Sequence, residues 1–444
     1  MKRVLVLGAG LSASSLIKYL LENSEKHDWK IAIADVDLDR VMKKIDKHPN
    51  GEAYLLDAAD TDGLDKLIEI SDLVISLLPA SMHYPVAKRC VDLKKHMVTA
   101  SYVSDEMKSL NEEAKAAGVI LLNEIGVDPG IDHMSAMQVM DKMKEKGWEL
   151  EFFESSTGGL VAPESDNNPW NYKFTWNPRN VVLAGQGISR FIRNGKLKFI
   201  PYHKLFERVQ EMEIPDFGEF EYYANRDSLK YRKVYNIEGI PTIFRGTIRR
   251  KGYCEAWNCF VQLGATDDSY TIESSENMTY REFINSFLKF EEDLPVEDKL
   301  AAYLNIDRNS EIMKKLEWLG IFEEKAIGLK EATPAQILQQ ILETKWSLDP
   351  EDKDMIVMRH RFHYKKDGKK KEVTSSMVTI GKDTTHTAMS ITVGVPAAIA
   401  AKLILIEEIT CTGVHIPIRK DIYEPVLKEL EEYGILFKEI EQDL

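Results

Sequence analysis

Residues 1–21 read MKRVLVLGAGLSASSLIKYLL. A basic start, an apolar run and the small residues of LSAS (11–14) have the look of a secretory leader. The same letters also spell a strand, a glycine turn and a helix. Cutting near Ser12 or Ala13 would leave a helix and the strand KIAIAD (30–35) without the strand that should precede them. Kept whole, the stretch is self-consistent, and this reading decides the fold. Val4 to Leu7 are all apolar, as in a strand buried on both faces. Gly8-Ala9-Gly10-Leu11-Ser12-Ala13 is a GxGxxA turn. Gly8 allows the tight bend, Gly10 lets backbone approach a pyrophosphate, and Ala13 permits close helix–strand packing. The helix runs to about Asn23, its first N–H groups directed at a phosphate.

The rhythm continues. AYLLDAAD (53–60), DLVISLLP (72–79), HMVTASY (96–102) and GVILLNEIGVDPG (118–130) each hold a strand. Helices are predicted over 61–69, 83–92 and 104–117. Alternation at this spacing implies a parallel, doubly wound α/β sheet. Ligands bind at the carboxyl ends of such strands. That directs attention to Asp35, Asp57, Ser76 to Pro79, Ser101, Tyr102 and Asp128. A carboxylate closing the second strand accepts from ribose hydroxyls and repels a 2′-phosphate. In ADVDLDRV (34–41) three acids precede Arg40, so the sequence predicts NAD over NADP.

The totals narrow the function classes. A chain of 444 residues suggests two or three domains. Its 58 basic and 72 acidic side chains give a net charge of −14, which argues against nucleic-acid partners and anionic membranes. No apolar run reaches the ~18 residues of a membrane span. Cys90, Cys254, Cys259 and Cys411 form no CxxC pair, which points away from zinc or any other metal and toward a reducing, cytoplasmic setting.

After Gly130 the βα rhythm stops. LEFFESSTGGLVAPESDNNP (150–169) reads as a strand entering a loop, and IFRGTIRRKGYCEAWNCFVQLG (243–264) as strand, turn and helix. Between about 280 and 348 apolar residues recur at three- and four-residue spacing, the mark of a helical subdomain. Residues 354–381 read as a hairpin turning at Asp367-Gly368, and 386–405 as a helix broken near Pro396. His360 and His363 fall on opposite faces of a strand and make no metal pair. Arg226, Arg245 and Arg249 sit in strand and loop settings. Arginine binds carboxylates bidentately, so the cluster suggests a substrate with several of them.

The motifs also carry a resemblance. GAG (8–10), DLVISLLP (72–79), HMVTASYVS (96–104), NEIGVDPGIDHM (123–134), GGLVAPESDNNP (158–169), NRDS (225–228), FRGTIRRKGY (244–253), LEWLGIF (316–322), EDKDMIVMRH (351–360) and VGVPAA (393–398) keep their order along the whole chain. On them the sequence resembles the glutamate-forming saccharopine dehydrogenases, also called saccharopine reductases. The resemblance implies oxidation of saccharopine, a tricarboxylate secondary amine, at the lysine-derived ε-carbon. The imine is then hydrolysed to L-glutamate and 2-aminoadipate-6-semialdehyde, a reaction suited to lysine breakdown.

By matched position the resemblance implies cofactor contacts at Gly8, Ala9, Gly10, Leu11, Asp35, Asp57, Ala58, Leu78, Ala100, Ser101, Val127, Asp128 and Pro129. Substrate falls to Ser101, Tyr102, Asp128, Arg226, Thr247, Ile248 and Arg249. Asp128 and Tyr102 are the acid–base candidates by position, with His133 a third. It also implies three parts: a Rossmann-type domain over 1–130, completed by about 395–444; a mixed α/β (α+β) domain over 131–279 and 350–394 that forms a homodimer; and a helical insertion over 280–349. Two positions depart from the family pattern. Asp35 occupies the slot where NADP users carry arginine, and Thr157 stands where the family often has cysteine. Rival expectations are an NADP-dependent saccharopine reductase of lysine biosynthesis, a reductase for a different N-(carboxyalkyl) amino acid or a spermidine-type imine (the polyamine type would not need Arg226), and a non-catalytic NAD-binding sensor.

Overall fold

The computed structural model describes residues 1–444. In chain order it begins β1 (Lys2–Leu7), α1 (Ala13–His27), β2 (Trp29–Asp35), α2 (Leu38–Ile45), β3 (Gly51–Leu55), α3 (Thr61–Glu69), β4 (Leu73–Ser76) and α4 (His83–Asp92). There follow β5 (His96–Val98), α5 (Asp105–Ser109), α6 (Asn111–Ala117), β6 (Ile120–Leu122) and α7 (Ile131–Glu145). The middle holds β7 (Glu149–Val161), α8 (Pro178–Val182), β8 (Ile188–Arg193), β9 (Lys196–Pro201), β10 (Gln210–Ile214), β11 (Gly218–Ala224), α9 (Lys230–Val234), β12 (Thr242–Arg250) and α10 (Tyr253–Leu263). Next are α11 (Tyr280–Ser286), α12 (Val296–Leu304), α13 (Glu311–Trp318), α14 (Pro334–Trp346), β13 (Asp354–Lys366) and β14 (Lys369–Ile380). The chain closes with α15 (Ala388–Leu405), β15 (Gly413–His415), α16 (Lys420–Leu430) and β16 (Lys438–Asp443).

Two compact units result. Met1–Leu150 and His363–Leu444 form the first, and Glu151–Phe362 the second. This division differs from the three-part expectation: α11 to α14 belong to the second unit, and β14 and α15 to the first.

In the first unit a parallel sheet runs β15–β6–β5–β4–β1–β2–β3. The order reverses between β1 and β4, which opens the crevice where such sheets take ligands. Burial explains the strands: Val4, Leu5, Val6, Ile31, Ala32, Ile33, Val74 and Ile75 are fully covered, so their runs are continuously apolar rather than alternating. β5 ends at Val98, so residues 99–102 form a loop at its carboxyl end rather than continuing the strand. The helix expected over 104–117 divides at Leu110 into α5 and α6.

The helix expected to break near Pro396 does not. α15 runs unbroken from Ala388 to Leu405 with Pro396 in its interior. Proline removes one donor there, and the helix continues through it, closely packed. A Cβ on Gly394 would lie 2.9 Å from the Ser12 carbonyl oxygen, so α15 presses directly on the start of α1. By length and composition α15 could cross a membrane, yet 83% of it is buried within the protein.

The second unit has a mixed sheet in the order β10–β11–β12–β7–β13, with β8 against β12 and β9 against β8. β12 is antiparallel to β11 and parallel to β7. The helical stretch predicted between about 280 and 348 is α11 to α14, and the last of them packs into an aromatic core. Trp346 of α14 meets Trp170 at 5.2 Å and Tyr172 at 5.0 Å, both edge-on.

Candidate functional site

In the first unit the glycine turn folds by local necessity. Gly8 has φ +96°, and a Cβ there would sit 3.1 Å from the Leu77 carbonyl oxygen. Only glycine meets both conditions. Over Gly10 nothing lies within 4 Å of where a Cβ would be. α1 begins beyond it with no acidic residue in its first turn and no side-chain cap from Ser12. Open backbone beside an uncapped helix start fits a pyrophosphate. Leu11 in the glycine turn, Val36 just past β2 and Leu55 at the end of β3 are apolar yet well exposed, which fits a flat aromatic base. These residues suit a dinucleotide.

Asp35 behaves otherwise than its sequence position suggests. Its carboxylate is only 9% exposed. One oxygen accepts from Ala9 N–H at 2.6 Å, and the other from Asp37 N–H at 3.0 Å. Arg40, on the first turn of α2, folds back so that its guanidinium lies 3.8 Å from Asp35 and 3.1 Å from Asp37. Lys44 follows one turn later, its ammonium on Ser14 Oγ. The end of β2 therefore presents cations as well as acids. Asp57 is likewise used locally: its carboxylate accepts from Ala59 N–H at 2.9 Å, with Ala58 half-buried between them.

The carboxyl ends of β4, β5 and β6 bring together several of the expected residues. Leu78 is partly buried against the sheet core. Ala100 packs under Gly126. Ser101 is half-buried, and Tyr102 is 50% exposed with its hydroxyl 3.4 Å from Asp128 Oδ1. The loop carrying Asp128 is very tight. Gly126 N–H donates to the Pro129 carbonyl at 3.0 Å and Ile131 N–H to the Gly126 carbonyl at 2.8 Å. A Cβ on Gly130, at φ +146°, would stand 2.1 Å from the Gly126 oxygen. Val127 and Pro129 are buried, leaving Asp128 as the half-exposed member.

Two side chains missed in the sequence complete this region. Glu124, at φ +58°, accepts from Val103 N–H at 3.0 Å and bonds His133 Nε2 at 2.8 Å. His133, an acid–base candidate, is fully buried on that carboxylate. His83 is buried between Ser76 and Ser101, its Nδ1 2.9 Å from Ser76 Oγ and its Nε2 2.7 Å from Ser101 Oγ. Its pKa is pushed down to about 4 by burial. No spacing rule marks either residue, because their partners come from other elements: Glu124 meets the loop after β5 and α7, and His83 meets the end of β4 and that same loop.

In the second unit the expected arginines separate. Arg226 is exposed, at φ +44°, beside a cavity of about 410 Å³ that also takes in Arg190, Asp227 and Lys230. Arg190 N–H donates to the Arg226 carbonyl at 2.8 Å, and its guanidinium meets Asp227 at 2.7 Å. Arg249 is 2% exposed, ringed by Tyr172, Tyr253 and Tyr223 at 5.3, 5.3 and 5.8 Å. Its Nη1 donates to the Ile248 carbonyl at 2.9 Å. Arg245 lies over Tyr231 at 4.0 Å and is 5% exposed. Ile248 is fully covered, and Thr247 is half-buried opposite Thr157 of β7. Arg226 and Arg190 thus face solvent, while Arg245 and Arg249 lie beneath aromatic rings.

Comparisons with known proteins agree along the whole length. The model described as "Saccharopine dehydrogenase NADP binding domain" matches residues 4–122, and "Saccharopine dehydrogenase C-terminal domain" matches 126–435. The chain is 33% identical to "Saccharopine dehydrogenase [NADP(+), L-glutamate-forming]" of Schizosaccharomyces pombe, with 99% of each chain covered. It is 35% identical to "Alpha-aminoadipic semialdehyde synthase, mitochondrial" of Rattus norvegicus over 98% of its own length but 47% of the rat protein's. It therefore spans about half of that longer relative. The solved structure of apo saccharopine dehydrogenase (L-Glu forming) from Saccharomyces cerevisiae superposes with a TM-score of 0.91 at 31% identity, covering both chains fully.

These findings overturn the expectation of NAD. The matching nucleotide-binding model and the full-length fungal relatives are both designated NADP. The physical reason lies in Asp35, whose carboxylate is engaged by Ala9 and Asp37 while Arg40 brings a cation beside it. With both of its domain models matched in order on the fold they imply, the chain belongs to the saccharopine dehydrogenase family.

Proposed function

We propose that the chain is an NADP-dependent oxidoreductase of lysine metabolism. It would convert L-saccharopine, water and the oxidised cofactor into L-glutamate, 2-aminoadipate-6-semialdehyde, the reduced cofactor and a proton. The observation that carries this reading is the full-length likeness to the L-glutamate-forming fungal enzymes. When bound, the nicotinamide supplies the acceptor for the hydride leaving the substrate ε-carbon.

The chain's own residues have the following parts. Gly10 and the first turn of α1 offer N–H groups to phosphate, and Arg40 with Lys44 offers charge to a 2′-phosphate. Asp128 holds the substrate's secondary ammonium and accepts its proton. That frees the nitrogen lone pair, which assists the breaking C–H bond. The Tyr102 hydroxyl, against Asp128, steers that carboxylate. Once that proton has passed to solvent, the same carboxylate can take a proton from the water that attacks the imine. Arg226 binds a substrate carboxylate.

The test is direct. Purified protein is mixed with L-saccharopine and NADP, and reduced nicotinamide and glutamate are measured. Equal amounts of both products support the reading. No turnover in protein that demonstrably binds NADP would remove it.

A further inference from the structure

His83 opens α4 at the carboxyl ends of β4 and β5 and is 4% exposed. It contacts Ser76 through Nδ1 and Ser101 through Nε2, with Thr99 Oγ1 3.5 Å from Nε2. A buried imidazole without a carboxylate neighbour is neutral at physiological pH. One ring nitrogen then donates and the other accepts. The neighbours decide which. Ser76 is fully buried, and its hydroxyl is bonded to Nδ1 alone. Were Nδ1 the donor, the Ser76 proton would be left buried without an acceptor, the costlier of the two mismatches. Ser76 therefore donates to Nδ1, and Nε2–H donates to Ser101 Oγ. Thr99 Oγ1 accepts the Ser101 backbone N–H at 3.3 Å, which fixes the loop. With its oxygen engaged from inside, Ser101 has its own proton free to turn outward.

We propose that His83 is a positioning residue that holds Ser101 as an outward-facing hydrogen-bond donor, matched to a carboxylate oxygen of the substrate. The identity of that ligand rests on the saccharopine reading above; the tautomer does not. Two experiments separate them. In the first, nitrogen-detected NMR of histidine-labelled protein reads the His83 tautomer at neutral pH, assigned by the signal lost in His83→Asn. An Nε2–H form is expected, and an Nδ1–H form overturns the proposal whatever the substrate.

In the second, His83→Gln puts an amide nitrogen near the Nε2 position and keeps the Ser101 contact, whereas His83→Asn reaches only toward Ser76. Asn is expected to raise KM for saccharopine about tenfold, the scale of one lost hydrogen bond. Gln should stay close to wild type, and KM for NADP should hold in both. In a Ser101→Ala background His83→Asn should add nothing, as coupled residues require. Equal effects of Asn and Gln, or additivity with Ser101→Ala, would overturn the positioning role. If His83→Asn fails to fold, the wild-type tautomer, assigned by the signal lost in His83→Gln, still decides. Absence of turnover in wild type would count against the saccharopine reading instead, leaving the tautomer to be judged by NMR.

Discussion

Arg40 lays its guanidinium 3.8 Å from the Asp35 carboxylate and 3.1 Å from that of Asp37. The two acids hold a cation at the end of β2 without burying it, for Arg40 stays 48% exposed. A 2′-phosphate arriving there would meet that cation already aimed. Arg40→Ala should therefore raise KM for NADP by about tenfold, the scale of a charge-assisted hydrogen bond. KM for NAD should change little, so cofactor preference narrows. Steady-state kinetics with both cofactors check this, and an equal loss for the two would discard the phosphate role.

Asp128 is held half-exposed by a loop that glycine alone can close. Because the backbone fixes the carboxylate, Asp128→Asn should fold normally while losing the proton acceptor. A drop in kcat of roughly 100-fold or more is expected, in the range of general-base removal. Wild-type kcat and KM in the Asn variant would end the assignment.

The glycine turn was legible because each residue there has a local reason. Gly8 bends and Gly10 leaves room, and both facts concern the backbone. Asp35 misled because its partner Ala9 lies 26 positions away and Arg40 returns only once α2 is placed. Period two puts Arg245 and Arg249 on one face of β12, but it cannot say what covers them. Tyr172, Tyr223 and Tyr253, which enclose Arg249, come from three separate segments. Pro396 misled for a related reason: the local rule gives the cost of a helical proline, and it cannot show that α15 is pressed against α1 two residues earlier, at Gly394. His83 was invisible because its partners stand at the ends of two other strands.

Arg226 combines exposure with a left-handed backbone, pinned by the Arg190 N–H on its carbonyl. Strain of this kind persists where the surroundings impose it. Arg226→Ala should raise KM for saccharopine about 100-fold with KM for NADP unchanged. Arg226→Lys should recover only part, since an ammonium cannot bind a carboxylate through a planar fork. Full recovery by Lys would show that charge alone matters, and an unaltered KM in Ala would favour a substrate without that carboxylate.

His83 also links stability to pH. Its pKa is lowered from 6.5 to about 4 by burial, so between those values the unfolded chain takes up a proton that the folded chain refuses. Its contribution is thus fully present above pH 6.5 and is lost as pH falls toward 4. At about 1.4 kcal/mol per pH unit the loss reaches at most about 3 kcal/mol. His83→Asn does not titrate, so its stability should fall less steeply across this window. Denaturant unfolding of both proteins at intervals from pH 7.5 to 4 reads the difference, and other titrating groups cancel in the comparison. The wild-type advantage should shrink steadily below pH 6.5. An advantage that stays constant to pH 4 would mean that His83 protonates as readily folded as unfolded, and so is not the neutral bridge between Ser76 and Ser101.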